Sequence, residues 1–309
     1  MIGIPERLAR GTIDREGERG AAWIAGLPAI VEDLLERWAC VPDGEVTHGG
    51  VGLIVPVRER SGGRYVLKVS FPHPGNVHEP DAFEAWQGRG AVFLHRRDDA
   101  RFALLLERAR MSTLAALRSD DETVVTVAGR LNHRLAVPAP AGLPRLRDRA
   151  GAWEAELRGD AAELGHALPP RVVDAAVATA RCLGPDQPDT LVHGDLHAGN
   201  ILRADREPWL AVDPKGCAGD PAYDGGTLLK SRAESLMRAD DLTKTVHRLV
   251  DAFAEAAQLD RERVVRWAQF HAVQAAFWGR RHGFRVARGG PRLDRVTRFA
   301  DALAELLTV

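Results

Sequence analysis

Cysteine is scarce here, with only Cys40, Cys182 and Cys217 in 309 residues. They are far apart, odd in number and without metal-type spacing, which excludes a disulfide framework and fits reduced thiols in a cytoplasmic protein. Net charge is nearly absent too: 42 basic residues stand against 43 acidic ones. That balance gives no general electrostatic case for nucleic acid or for an anionic membrane surface. No run of about 18 uncharged apolar residues occurs, as a spanning helix would need. The opening "MIGIPERLARGTIDREGERG" is charged throughout and lacks an apolar core of signal-peptide length. The chain is therefore expected to be cytoplasmic, off the membrane and free of nucleic acid, and to act as a monomer. Repeats, heptads and low-complexity tracts are missing as well. Lysine is rarest among the basic residues: Lys68, Lys215, Lys230 and Lys244 are the only four. A lysine inside an apolar strand is then a poor candidate for surface filler.

What is present is enough apolar sequence, 45%, to bury a sizeable core, at a length that favours two lobes. Residues 19–39 place Trp23, Leu27, Ile30, Leu34, Leu35 and Trp38 at helical spacing, with an interruption expected near Gly26 and Pro28. "GLIVPVRERSGGRYVLKVSF" reads as a hairpin turning at Ser61–Gly63. A helix in "HEPDAFEAWQGRG" should end near Gly88, and "AVFLHRR" and "FALLLERA" continue as short strands. From Ala109 onward helical patterns dominate, as in "TVVTVAGRLNHRLA" and "RVVDAAVATARCL", with "VPAPAGLP" as a loop between them. The expectation is an α+β, bilobal fold: a β-rich nucleotide-binding lobe with an N-terminal helical extension over 1–108, and a helical lobe over 109–309.

One short hairpin interrupts the helical half. "ILR" at 201–203 and "WLAV" at 209–212 flank the charged turn "ADREP". If Ile201 pairs with Val212, Asn200 faces Asp213 across the open end, and Asp195 hangs from the loop before them. An amide oxygen beside a carboxylate offers the hard ligands that magnesium takes when phosphates and waters fill its other positions. A further carboxylate at that end completes a layout for phosphoryl transfer, in which one Asp receives a hydroxyl proton while Asn and a second Asp hold the metal. The spacing H-x-D-x-x-x-x-N followed by D-x-x-G carries this reading; singly, each residue is equally at home in an ordinary turn.

The reading requires three companions. Lys68 in "YVLKVS" shares a strand face with Val66 and Ser70 and can reach the α/β-phosphates, held by Glu79 or, alternatively, Glu84. Gly49, Gly50 and Gly52 in "THGGVGLIVPV" precede a strand, where backbone N–H groups could approach an anion, though glycine pairs mark plain turns as often. The segment Glu107, Arg108, Ala109 connects the halves and could give main-chain hydrogen bonds to an adenine ring.

"HGDLHAGNILR", "WLAVDPKG", "GDPAYD", "VLKVSFP" and "WQGRGAVFLHRRDDARFALLLERA" together resemble the aminoglycoside phosphotransferase family, in particular its streptomycin 6-phosphotransferase and hydroxyurea kinase branch, over nearly all of residues 20–285. The resemblance implies a protein-kinase-like fold and ATP- and magnesium-dependent phosphorylation of a hydroxyl on a small polar acceptor. Matched by position, it implies Asp195 as the catalytic aspartate, Asn200 and Asp213 as magnesium ligands, Lys68 and Glu79 as the phosphate lysine and its partner, and His193 as a support for the loop.

Several other residues have readings of their own. His193 and His197 around Asp195 could suggest a metallohydrolase, but no third ligand is placed to complete the site. Asp220 before Pro221 reads as a helix N-cap, and Asp224 could face the acceptor. Trp267, Phe270, His271, Gln274 and Trp278 form a helical stripe more typical of core than of a pocket. Nine arginines against Asp294 between 263 and 298 suit a cationic acceptor poorly unless they point away from it. The alternatives to an aminoglycoside kinase are a hydroxyurea or other small-metabolite kinase, and a kinase-like nucleotide-binding protein without turnover.

Overall fold

The computed structural model describes residues 2–308 apart from 118, 285, 286 and 288. Two helices open the chain, α1 (Glu6–Glu16) and α2 (Glu18–Arg37). α2 continues through Pro28, against the expected interruption. Pro28 cannot donate to the Ile24 carbonyl, but Leu27, Val31 and Leu34 are fully buried on one face, and that tertiary burial outweighs one lost backbone bond.

The sheet follows: β1 (Cys40–Pro42), β2 (Thr47–His48), β3 (Gly52–Glu59) and β4 (Arg64–Ser70), then helix α3 (Glu79–Trp86), β5 (Leu94–Asp98) and β6 (Ala103–Glu107). Its order is β1-β3-β4-β6-β5, with β2 added beside β3, and every pairing is antiparallel. Strand alternation sorts the two faces. Leu53, Val55 and Val57 of β3, Leu67 and Val69 of β4 and Leu105 of β6 pack against α2 in one core. Lys68, between two of those residues, points to the opposite face, where its register partners are Ile54 and Leu104.

The rest is mainly helical: α4 (Asp121–Leu135), α5 (Ala150–Glu163), α6 (Pro170–Leu183), then β7 (Leu191–Val192), β8 (Ile201–Arg203), β9 (Trp209–Ala211) and β10 (Cys217–Ala218), and finally α7 (Tyr223–Ser231), α8 (Ala233–Leu236), α9 (Leu242–Ala257), α10 (Arg261–His282) and α11 (Gly290–Leu306). A second, larger core joins these helices to the inner side of α3 and of β6. Within it Trp153, Trp267 and Phe270 pack edge to face or tilted against one another, with Trp153 stacked on Tyr223, so most of the aromatic stripe of α10 is core, while Trp278 at its far end is exposed.

Four short strands position the site. β7 and β10 lie antiparallel with Val192 opposite Cys217, so the loops 193–200 and 212–216 leave the pair side by side, tied by the Lys215 N–H to the His193 carbonyl at 2.8 Å. β8 and β9 form the hairpin between those loops, with Ile201 opposite Ala211. The expected Ile201–Val212 register is therefore off by one. Asn200, not Ile201, takes the Val212 N–H (2.9 Å), and Asp213 lies beyond the ladder.

Candidate functional site

Lys68 is the centre of the site's charge. Its Nζ donates to Glu79 Oε1 and to Asp213 Oδ1, both at 2.6 Å, from three separate elements. Glu79 is the first residue of α3, where the helix N-terminus favours an anion, and its side chain is only 3% exposed. Burial by itself would lower the pKa of the Lys68 ammonium, but Asp213 and Glu79 outweigh it and raise the value above the ordinary one. The same ammonium, with Lys215, more than offsets burial at Asp213 and holds that carboxyl at about 2. Glu84, the alternative partner, pairs instead with Arg97 at 3.0 Å.

Asp213 adopts a left-handed backbone, φ 60°, uncommon outside glycine and most tolerated by Asn and Asp. That turn ends the β9 ladder and swings the carboxylate toward Lys68 instead of directly opposite Asn200. Gly216 closes the same loop at φ 64°, and a β-carbon there would strike the His78 carbonyl at 2.4 Å. Such close approach seats the 213–216 loop on the start of α3, which is how Glu79 comes near Asp213.

Asn200 is buried, and its Nδ2 donates to the Asp195 carbonyl at 3.1 Å. With the amide nitrogen so committed, Oδ1 is the atom left to accept or to ligate. Asn200 Oδ1 and the Asp213 oxygen not bound by Lys68 are both hard donors of the kind that magnesium takes beside phosphates and water. Among the described residues no cluster of three or more His, Cys, Asp or Glu is placed to hold a metal by itself.

His193 acts within the fold. Its Nε2 donates to the Val212 carbonyl at 3.0 Å and its Nδ1 accepts from the Asp195 N–H at 3.2 Å, an assignment that fixes the neutral tautomer. Desolvation lowers its pKa to about 3, and Trp86 of α3 stacks on it at 6.1 Å. Gly194, at φ 78°, makes the turn between His193 and Asp195. The Asp195 side chain remains 34% exposed, with His197 Nε2 3.9 Å from Oδ2. Burial raises its pKa, against the opposing pull of His197 and Lys215.

Two acids sit differently from expectation. Asp224 does not face an open pocket: it is 1% exposed, and its carboxylate accepts the N–H groups of His193 (3.1 Å) and Leu196 (3.5 Å). Burial pushes its pKa up to about 7, with Asp195 adding to the rise and the loop N–H groups opposing it. Asp220 is not the N-cap of α7, whose flanking residue is Ala222. It is a buried anchor that accepts from Ala222 N (2.9 Å), Arg263 Nε (2.8 Å) and Trp267 Nε1 (3.0 Å). The arginines of α10 are likewise spent on neighbouring helices, Arg280 on Asp301 and Arg281 on Asp160 and Glu163; Arg285 and Arg288 lie outside the described residues.

The glycine turn is the tip between β2 and β3, closed by Gly49 N to Gly52 O at 2.9 Å. Gly52 opposes Ser70, two register steps from Lys68, and a β-carbon there would come within 2.9 Å of Ser70 Oγ and 3.1 Å of the Val69 carbonyl, which leaves little room for a side chain. Gly49 and Gly50 stand in open space. In the connection, Arg108 bonds Asp43 (2.7 Å) and Arg110 bonds Asp205 (2.8 Å), while the Ala109 N–H between them has no partner among the described residues.

A sheet carrying a buried Lys–Glu pair, set over a helical half whose hairpin presents Asn and Asp, is a kinase-like fold. Solved structures agree: a choline/ethanolamine kinase family protein from Mesorhizobium loti matches with a TM-score of 0.59 over 90% of this chain and 94% of that one, at 17% identity. The chain belongs to the aminoglycoside/hydroxyurea antibiotic resistance kinase family, whose profile matches residues 37–283. It is 39% identical to the streptomycin 6-kinase of Streptomyces glaucescens over 90% of this chain and 91% of that protein. It is 34% identical to the hydroxyurea phosphotransferase of Kitasatospora aureofaciens over 90% and 80%, respectively.

Sequence reasoning missed Asp224 as the buried organiser of the loop, although "GDPAYD" marked it. No helix among the described residues is long and apolar enough to cross a membrane.

Proposed function

We propose that this protein is an ATP- and magnesium-dependent phosphotransferase that moves the γ-phosphate to a hydroxyl of a streptomycin-like aminoglycoside. The observation that carries the reading is the Lys68 ammonium bonded to both Glu79 and Asp213 at 2.6 Å, which ties the sheet to the hairpin loop. Residues 1–108 form the nucleotide lobe and 109–309 the lobe that holds the acceptor.

Lys68 extends from β4 to the α/β-phosphates, with Glu79 holding its Nζ in place. Asn200 Oδ1 and Asp213 would hold magnesium, which would neutralise charge on the nucleotide phosphates. Gly49, Gly50 and Gly52 lie over the phosphates, and the main chain of Glu107 and Ala109 meets the base. Asp195 orients the acceptor hydroxyl and takes its proton as the acceptor oxygen bonds to phosphorus and the bond to the ADP oxygen breaks. Burial raises its pKa, which makes it a stronger acceptor for that proton than a free carboxylate. His193 and Asp224 hold the loop from behind. The 34% identity to a hydroxyurea phosphotransferase supports hydroxyurea as a second acceptor class to test.

Radiolabelled ATP offered with streptomycin, other aminoglycosides, hydroxyurea and simple sugars should label streptomycin-like acceptors first. Asp195→Ala should lower turnover by about 10²–10⁴-fold, the usual worth of a positioned base, while nucleotide still binds. Full turnover in that variant would remove Asp195 from the chemistry. Tight nucleotide binding with no transfer to any acceptor would favour a non-catalytic binding protein.

A further inference from the structure

Arg206 sits in the turn of the β8–β9 hairpin, at the end away from Asn200 and Asp213, and its guanidinium is committed to the connection between the lobes. Nε reaches Glu107 Oε1 at 3.1 Å, and Nη2 reaches Glu107 Oε2 at 2.9 Å and the Ala91 carbonyl at 2.8 Å. Nη1 bonds Glu207 at 2.8 Å, and the planar group lies 4.5 Å from the Phe93 ring centroid. Five contacts on an arginine whose side chain is 31% exposed define a geometry of the kind lysine cannot reproduce.

Its consequence is at Glu107. In an antiparallel ladder two directly opposed residues exchange both N–H···O bonds at alternate positions. Phe93 and Glu107 make half of that exchange, Glu107 N donating to the Phe93 carbonyl at 2.8 Å. The other half is diverted: the Phe93 N–H goes to the Glu107 carboxylate, Oε2, at 3.0 Å. On the other side of β6 the Ser70 N–H bonds the Phe102 carbonyl, so by alternation Tyr65 and Glu107 stand at a position without exchanged bonds. The Glu107 carbonyl is thereby released from the sheet, two residues before the unpartnered Ala109 N–H.

We propose that Arg206 is a positioning residue of the nucleotide site. By holding the Glu107 carboxylate on the Phe93 N–H, it keeps the Glu107 carbonyl available to the exocyclic amino group of adenine, with the Ala109 N–H beside it as donor to a ring nitrogen. The hairpin that carries the magnesium ligands at one end thus sets base recognition at the other. This rests on the reading that the nucleotide lies along the connection.

Binding of ADP and of purine riboside diphosphate, which lacks the 6-amino group, tests it by titration calorimetry, with phosphate transfer measured separately on the same preparations. The wild-type protein should prefer ADP by about tenfold, the net worth of one good hydrogen bond. Arg206→Ala should bring that ratio toward one, and Arg206→Lys should fall between. Glu107→Ala, which removes the competing acceptor and lets the Phe93 N–H return to the carbonyl, should also abolish the preference, so the test survives if Arg206→Ala fails to fold. Loss of packing alone would lower thermal stability without changing the ratio. A wild-type ratio near one, or an unchanged ratio in the folded variants, overturns the role of Arg206. Absence of phosphate transfer from ATP by the wild type overturns the enzymatic reading instead, whatever the ratio.

Discussion

The two sides of the β8–β9 hairpin are built differently. Toward the sheet, the charged groups are matched in advance: Lys68 lies between Glu79 and Asp213, and Glu107 is held by Arg206. Toward the helices, Asp195 is a third exposed, the buried His271 Nε2 lacks a hydrogen-bond partner among the described residues, and desolvation lowers the pKa of the half-buried Lys230 against the opposing pull of Asp195. A site that receives one fixed ligand, a nucleotide, can be pre-organised with buried charge. On the proposed reading, the acceptor side instead leaves its groups to be satisfied by whatever is bound.

The most severe way to break this difference is to take the cation from the matched side. Lys68→Met leaves the Glu79 and Asp213 carboxylates close together with Glu79 almost fully buried, and removal of one partner from such a cluster costs about 3–5 kcal/mol. Chemical denaturation should show that loss, together with loss of ATP-dependent transfer. Lys68→Met/Glu79→Leu sharpens the point: replacing the buried pair by apolar side chains should recover much of the stability and none of the activity. If the single variant were as stable as the wild type, the pre-organised triad would not describe the protein in solution.

A middle-sized effect falls where the two sides meet, at Asp224 behind the Asp195 loop. Its folded pKa of about 7 lies above the ordinary carboxylate value near 4, so the folded state binds the proton more tightly. The resulting stabilisation is fully present below the unfolded pKa, declines as pH rises, and is lost above the folded one. Between pH 5 and 7 the loss is about 2–3 kcal/mol. Asp224→Asn cannot titrate, so the stability difference between wild type and variant should shift by that amount over this window, followed by thermal unfolding at half-unit steps. Parallel curves would mean that the loop N–H groups hold Asp224 ionised throughout.

The same contrast explains what the amino-acid sequence disclosed. Asp195, Asn200 and Asp213 fall in one short stretch with fixed spacing, and Lys68 and Glu79 are only 11 residues apart on a strand and the helix after it, so local pattern reached the matched side of the site. The hairpin register was misplaced by one because the left-handed turn at Asp213, which ends the ladder early, has no signature beyond the Asp itself. Arg206 read as part of a charged turn because its partner Glu107 is 99 residues earlier. Asp224 looked available to an acceptor because its burial depends on how α7 docks under the loop. α1 and α5 were not anticipated as separate helices, their buried residues being few: Leu8 and Thr12 in the first, Trp153, Leu157 and Ala161 in the second.

The smallest effect tests whether the glycine turn belongs to the matched side at all. Gly50 does not occupy a left-handed conformation, and a β-carbon placed on it meets nothing within 4 Å. Gly50→Ala should therefore leave the unliganded protein as stable as before or raise its stability by about 0.4–1 kcal/mol, because alanine restricts the unfolded chain. If the tip lies over the phosphates, the added methyl occupies space that the ligand needs, and KM for ATP should rise while KM for the acceptor holds. An unchanged KM for ATP together with unchanged stability would make the turn an ordinary hairpin tip, and the pre-organised side would then consist of Lys68, Glu79, Asp213 and the connection, without the glycines.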